Sequence, residues 1–132
     1  MTFIDCNIPM YLIGEPHPNK TDAQILVERL IAARERLVTD AEVLQEILHR
    51  YAAIGRKEAI GPAVDLTLEL VDEVFDVEKS DVLRASEILC GAGMFSARDA
   101  LHIAIMERHE VRSVLTFDAD FDRWPGLRRV RR

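Results

Sequence analysis

Short apolar segments alternate with longer segments of helical periodicity along most of this chain. Five short segments rich in β-branched and apolar residues predict strands, and they span residues 2–5, 37–39, 74–77, 113–116 and 127–130. Six other segments predict helices, because apolar residues recur three or four positions apart: one begins near residue 7, and the others span residues 21–35, 40–51, 57–72, 80–89 and 97–109. Strands that alternate with helices predict a parallel sheet with helices on both faces.

Local residue choices mark several helix ends. Thr39 and Glu42 have the spacing of a capping box, in which each side chain accepts a hydrogen bond from the other residue's backbone, so the third helix is predicted to begin after Thr39. Ser96 and Asp99 repeat this spacing before the last helix, and Gly91-Ala92-Gly93 is predicted to end the helix before it. Both capping signals give a structural reason for an acidic residue at a helix start.

Acidic residues also follow two of the predicted strands. Asp5 ends the first strand segment, and Asp118 lies two residues beyond the fourth. The carboxyl ends of parallel strands meet at one edge of a sheet, where such folds bind ligands, so these residues can be neighbours in space. Carboxylates held close together repel one another unless a cation or solvent intervenes. The pattern therefore predicts a metal or phosphate site at this edge.

Length and composition indicate one soluble domain. The chain has 132 residues, of which 48% are hydrophobic and 30% charged, enough for a single core. No apolar run approaches the roughly 20 residues that span a bilayer, and the N-terminus lacks the features of a signal peptide. We therefore expect a cytoplasmic protein with no membrane partner. Cys6 and Cys90 lack CxxC spacing and predict neither a disulfide framework nor a zinc site.

The net charge of −6 argues against nucleic-acid binding through overall charge. Basic residues concentrate at the C-terminus, where the last ten positions hold Arg123, Arg128, Arg129, Arg131 and Arg132. Binding of RNA would therefore require a metal ion together with a local basic patch. The alternative is a solvated basic end that aids solubility.

Each candidate site residue has a structural explanation when it is taken alone. Asp5 can be an exposed strand end or a cap for the following helix. Glu46 can be a solvated glutamate paired with Arg50 at i,i+4, which is the favoured interpretation of that residue in isolation. Asp99 can serve its capping box. His102 shares the face of Asp99 and could be a metal ligand, but we expect a satisfied packing residue.

The aspartates at 118, 120 and 122 first suggest a calcium loop. That loop requires glycine at its sixth position and glutamate at its twelfth, and these positions hold Arg123 and Arg129. Asp-x-Asp after a strand also resembles the haloacid-dehalogenase phosphatases. Their nucleophile follows the first strand, however, and the second acid is missing there in this chain. The sequence therefore supports neither a calcium loop nor a haloacid-dehalogenase phosphatase.

The motifs are informative in combination. Asp-x-Asn follows the first strand at residues 5–7, and a glutamate lies in the helix after the second strand at position 46. Arg-Asp-Ala-Leu-His opens a helix at residues 98–102, and Thr-x-Asp-x-Asp-Phe follows a late strand at residues 116–121. This order and spacing resemble the PIN-domain family, specifically the small single-domain VapC toxins of bacterial toxin–antitoxin pairs. The resemblance covers residues 1–132 as one nuclease domain.

The resemblance implies an α/β fold in three layers, with a parallel five-stranded sheet flanked by helices. It implies a metal-dependent endoribonuclease with Asp5, Glu46, Asp99 and Asp118 at the family's four acidic positions. Its accessory polar positions near the metal match Asn7, Thr116 and Asp120. We expect the three aspartates among the four acids to bind the ion, and Glu46 to bind through water or position the attacking water. Asp122 matches no role and is interpreted as a turn residue.

The implied cofactor is Mg²⁺ or Mn²⁺, because carboxylate oxygens suit these ions, which activate a bound water for phosphodiester hydrolysis. The implied partners are an RNA substrate, a cognate antitoxin and a second copy of the chain. Arg98 and the C-terminal arginines are candidates for holding RNA. The segment 10–12 and the helices within 21–51 are candidates for an antitoxin groove. The alternatives are a catalytically silent PIN-like binding domain and a phosphatase-like hydrolase.

Overall fold

The computed structural model describes residues 1–91 and 93–132 and confirms the α/β alternation. The strands are β1 (Thr2–Ile4), β2 (Leu37–Asp40), β3 (Glu73–Phe75), β4 (Ser113–Leu115) and β5 (Arg128–Arg129). The α-helices are α1 (Asn7–Ile13), α2 (Pro18–Ala32), α3 (Ala41–Ala53), α4 (Ile60–Leu70), α5 (Lys79–Cys90) and α6 (Ala97–Arg108). Short 3₁₀ helices span Lys57–Ala59 and Ala119–Arg123. The predicted helix end at Gly91-Ala92-Gly93 includes Ala92, which lies outside the described residues.

Strand β1 lies at the centre of a fully parallel sheet with the order β3-β2-β1-β4-β5. Phe3 of β1 pairs with Val38 on one side and with Val114 on the other. The chain moves outward from β1 through β2 to β3 and then returns to the opposite side of β1 as β4. This reversal opens a crevice at the carboxyl ends of β1 and β4. Asp5 and Asp118 follow these strands and lie there.

The two faces of the sheet bury separate apolar clusters, which confirms the three-layer architecture. Side chains alternate along a strand, so Phe3 and Val114 face one side, where they pack against α3, α5 and α6. Ile4 and Leu115 face the other side, where they pack against α1 and α2. None of the helices in the described part of the chain is long and apolar enough to cross a membrane.

The start of α3 differs from the sequence prediction. Asp40 is the N-cap, and its Oδ1 accepts a hydrogen bond from the backbone N–H of Val43 at 2.8 Å. Thr39 lies inside β2, and its hydroxyl donates to the carbonyl of Ile4 at 2.8 Å. The capping box predicted for Thr39 and Glu42 is therefore wrong. The pairing of β2 with β3 extends to Asp40, which moves the first helical residue one position along the chain.

Candidate active site

A network of hydrogen bonds joins the loops that follow β1 and β4. The hydroxyl of Thr116 donates to Oδ2 of Asp5 at 2.6 Å and accepts the backbone N–H of Asp118 at 3.0 Å. The amide of Asn7 donates to the same hydroxyl at 3.2 Å. The backbone N–H of Cys6 donates to Oδ1 of Asp5 at 2.8 Å. These contacts fix the carboxylate of Asp5 beside the loop that carries Asp118.

Asp99, Asp118 and Asp120 form the outer, partly exposed side of the crevice. Each offers a carboxylate oxygen, and these oxygens lie within 4.8 Å of one another. Ser96 is the N-cap of α6 and accepts the backbone N–H of Asp99 at 3.1 Å, so Asp99 lies in the first turn, where the helix dipole favours negative charge. Asp118 accepts the backbone N–H of Asp120 at 2.9 Å.

Asp5, Glu46 and His102 form the inner, buried side, where their ligand atoms also lie within 4.8 Å of one another. Glu46 is only 6% exposed. Its Oε2 accepts hydrogen bonds from the thiol of Cys6 at 2.9 Å and from Nε of Arg50 at 3.1 Å. The pairing of Glu46 with Arg50 is as expected from their spacing, but the interpretation of Glu46 as a solvated side chain is wrong. The helix α3 turns it inward, beneath Arg50.

Burial and the charged groups nearby shift the pKa values of three of these carboxylates. Burial, with repulsion from Asp118 and Asp5, raises the pKa of Asp99 to about 6. Burial also raises the pKa of Asp5, although the neighbouring His102 opposes this change. Burial would raise the pKa of Glu46 as well, but the groups around it, first among them His102, lower the pKa to about 2. The inner glutamate is therefore the most readily ionised of the three.

The four acidic residues predicted from the sequence line one cavity of about 320 Å³. The cavity is bounded by Asp5, Asn7, Tyr11, Asn19, Glu46, Arg50, Asp99, Phe117 and Asp118. An adjoining cavity of about 450 Å³ shares four of these residues and extends to Arg98 and Asp120. The structure thus brings together the predicted acidic and accessory residues, and Arg98 lies at their edge, 3.5 Å from Glu42. The roles of these residues in catalysis stay a prediction.

The donor set fits a hard divalent cation. Asp5, Asp99 and Asp118 offer carboxylate oxygens around one open space, which is the chemistry that Mg²⁺ and Mn²⁺ prefer. Burial and then repulsion from Asp118 and Asp5 raise the pKa of Asp99, and a divalent cation between these groups would relieve the repulsion. That these three aspartates hold the ion stays a prediction.

The C-terminal charges are engaged with one another outside the crevice. Asp122 accepts hydrogen bonds from Arg129 at 3.1 and 3.0 Å and from Arg131 at 3.1 Å. Arg132 donates to Asp22 of α2 at 2.8 Å. The interpretation of Asp122 as a residue outside the site agrees with this placement. These ion pairs tie the chain end to the domain.

His102 is the neighbour of the site whose surroundings were only partly predictable from the sequence. Its Nδ1 lies 2.7 Å from Oδ2 of Asp40, so one ring nitrogen is satisfied as expected. Its Nε2 has no hydrogen-bond partner among the described residues and faces Oε1 of Glu46 at 3.6 Å. The spacing of three positions from Asp99 indicated the correct face of α6. Nothing in the sequence indicated the contact with Asp40, which comes from another element.

Comparison with known proteins identifies the family. The PIN domain model matches residues 2–127. Ribonuclease VapC13 of Mycobacterium tuberculosis is 53% identical over 130 residues, which cover 98% of this chain and 99% of that protein. The structure of VapC20 of M. tuberculosis, a Sarcin-Ricin loop cleaving toxin, has a TM-score of 0.76 and 22% identity, and the match covers 92% of this chain and 93% of that one. A chain in a toxin–antitoxin complex from Klebsiella pneumoniae has a TM-score of 0.68 and 15% identity, with 96% and 95% covered. The present chain therefore belongs to the PIN-domain family and, within it, to the VapC ribonucleases.

Proposed function

We propose that this protein is a Mg²⁺-dependent endoribonuclease and the toxin of a toxin–antitoxin pair that acts in the cytoplasm. The observation that carries the proposal is the convergence of Asp5, Glu46, Asp99 and Asp118 on one cavity at the carboxyl ends of β1 and β4. The identity of 53% with VapC13, which is named a ribonuclease, supports the reaction class. Mn²⁺ has similar ligand preferences and is proposed as a substitute.

In the proposed reaction, the four acidic residues divide into three that hold the metal ion and one that orients water. When bound, Mg²⁺ supplies positive charge to the phosphodiester and lowers the pKa of a water. Asp5, Asp99 and Asp118 would hold the ion, and the hydroxyl of Thr116 keeps the first of them in place. Glu46 stays ionised at neutral pH because its pKa is about 2. Its carboxylate is the group that would orient the attacking water.

The proposed macromolecular partners are RNA, an antitoxin and a second copy of this chain. Because the net charge is −6, RNA must rely on local cations, and Arg50 and Arg98 lie at the cavity edge for this purpose. A further cavity of about 390 Å³ adjoins the site and includes Met10, Tyr11 and Tyr51, an apolar surface suited to an antitoxin segment. The relation to the Klebsiella complex supports the antitoxin partner through the shared fold.

The test is RNA cleavage by the purified protein with Mg²⁺, with Mn²⁺ and with excess EDTA. We expect cleavage only with the metals, and a loss of about 100-fold or more in Asp99→Asn and Asp5→Ala, because each removes a carboxylate from the ion. Circular dichroism of both variants checks that they fold. Added antitoxin should suppress cleavage by the wild type. Equal cleavage in excess EDTA would refute the metal mechanism, and RNA binding without cleavage would support a silent binding domain.

A further inference from the structure

A continuous row of buried polar side chains runs behind the acidic cavity. Asp40 and His102 are both fully buried, and Nδ1 of His102 lies 2.7 Å from Oδ2 of Asp40. The other ring nitrogen, Nε2, faces Oε1 of Glu46 at 3.6 Å. We propose that His102, held by Asp40, is a positioning residue that fixes the orientation of Glu46 for the reaction. This inference rests on the proposed ribonuclease function.

The contacts of Glu46 leave it little freedom. Cys6 and Arg50 donate to Oε2 at 2.9 and 3.1 Å, so Oε1 is the oxygen that faces the imidazole. Phe3 packs against the ring of His102 with a centroid distance of 5.4 Å, and Asp40 holds its Nδ1. The ring can neither rotate nor withdraw without breaking one of these contacts. His102 therefore bounds the carboxylate of Glu46 from the interior side.

Asp40 links two of the helices that carry acidic site residues. Its Oδ1 accepts the backbone N–H of Val43 and caps α3, which carries Glu46. Its Oδ2 binds His102 on α6, one turn after Asp99. A single buried carboxylate thus connects the start of one helix with the interior of the other. Because both contacts are buried, a loss of either one would let the two helices shift relative to each other.

The charged groups around His102 are consistent with its position between Asp40 and Glu46. Three acidic side chains, Asp5, Asp40 and Glu46, are buried around the imidazole, and such groups are costly to bury without a compensating charge. Burial alone would lower the pKa of His102, but Asp40, followed by Glu46, raises that pKa well above its usual range. A protonated ring would place a positive charge beside Glu46. The contacts that enclose the ring carry the proposal and do not depend on this charge.

The test compares His102→Leu with His102→Gln, whose amide nitrogen can still reach Glu46. We expect kcat for RNA in Mg²⁺ to fall about 10- to 100-fold in the leucine variant, with KM and Mn²⁺ affinity changed less than about threefold, because the proposed metal ligands remain. The glutamine variant should recover part of kcat. His109→Leu is the control, since His109 is the partly buried C-cap of α6 and its ring stacks on Phe75, with ring centroids 3.6 Å apart.

Two further measurements separate positioning from general destabilisation. If His102 acts through Glu46, adding His102→Leu to Glu46→Gln should change kcat by less than about twofold, whereas independent effects would multiply. In the metal-free protein, ¹³C NMR of the Glu46 carboxylate should show its pKa rising from about 2 in His102→Leu, but not in His109→Leu. A wild-type protein that does not cleave RNA would refute the proposed function, and the NMR result would still decide the inference. Unchanged kcat and an unchanged Glu46 signal in His102→Leu would overturn it.

Discussion

Three aspartates spaced two positions apart have three different surroundings in this protein. Asp118 lines the acidic cavity and caps the 3₁₀ helix that follows it. Asp120 has a side chain that is 45% exposed and lies 3.6 Å from Arg123. Asp122 is turned toward the C-terminal arginines. Asp120 and Asp122 lie within the 3₁₀ helix, which places about three residues in each turn, so these two side chains point in different directions. This geometry keeps Asp122 out of the cluster that Asp118 and Asp120 form with Asp99.

We predict that Asp118→Asn and Asp122→Asn have very different effects. The first removes a carboxylate from the proposed metal site, so kcat/KM for RNA should fall about 100-fold or more. The second removes an exposed partner of Arg129, so kcat/KM should change less than about threefold. Both values are measured with saturating Mg²⁺. A similar loss in the two variants would mean that the whole aspartate segment acts as a unit.

The site residues that the sequence could predict are those placed by local rules. Asp5 and Asp118 follow strands, and the parallel sheet brings such positions to one edge. The burial of Glu46 and the contact between Asp40 and His102 could not be predicted in the same way. Both depend on how α3 and α6 pack against each other, and that is decided by contacts between residues far apart in the sequence.

At the scale of elements, α5 and α6 form the pair that supports the outer side of the site. Asp81 of α5 is 2% exposed and accepts two hydrogen bonds from Arg108 of α6, Nε to Oδ1 at 2.8 Å and Nη2 to Oδ2 at 2.9 Å. It also accepts the backbone N–H of Glu78 at 2.9 Å, which completes the capping box of α5. Helix α6 carries Asp99 and is held in place from outside the site by this ion pair.

We predict that Asp81→Ala lowers the free energy of unfolding by about 2 kcal/mol, because it leaves a partly buried guanidinium without its partner and removes a cap. Arg36→Gln is the comparison, since Arg36 pairs with Glu73 at 2.6 Å in an exposed position, and such pairs contribute about 0–1 kcal/mol. Urea titration followed by circular dichroism measures both. Equal and small losses would show that the α5–α6 ion pair is dispensable.

The elements themselves were largely predictable because hydrophobic periodicity is a local property. Within residues 1–91 and 93–132, the five strands and six α-helices lie close to their predicted positions. The start of α3 was misplaced because strand pairing, a contact between distant segments, extends β2 to Asp40 and takes Thr39 into the sheet. Local capping preference does not contain that information.

At the scale of the whole molecule, apolar layers stabilise a fold that concentrates like charges at one crevice. The central strand β1 is completely buried, and both faces of the sheet are covered. The acidic site lies at the end of this strand, where Asp5 and Asp99 have raised pKa values. The fold therefore holds carboxylates in an arrangement that is unfavourable until a cation is present.

These pKa shifts determine how the free energy of unfolding of the metal-free protein depends on pH. The pKa of Asp99 rises from 3.8 to about 6 on folding, so its ionisation destabilises the folded state progressively as pH rises across that interval. The pKa of His102 is raised well above 6.5, so its stabilising contribution is complete below 6.5 and is lost as pH rises through the folded pKa. Both groups therefore make the folded state less stable as pH rises.

We therefore predict that, in EDTA, the Tm of the protein falls between about pH 5 and about pH 8, and that saturating Mg²⁺ restores much of the loss at the higher pH. At the lower pH, where Asp99 is largely protonated, Mg²⁺ should have little effect. Thermal unfolding followed by circular dichroism measures all four conditions. Asp99→Asn is the control, because a neutral side chain should flatten the pH dependence and weaken the response to Mg²⁺. A Tm in EDTA that rises across this interval, or an equal Mg²⁺ effect at both pH values, would show that the crevice carboxylates are not the source of the instability.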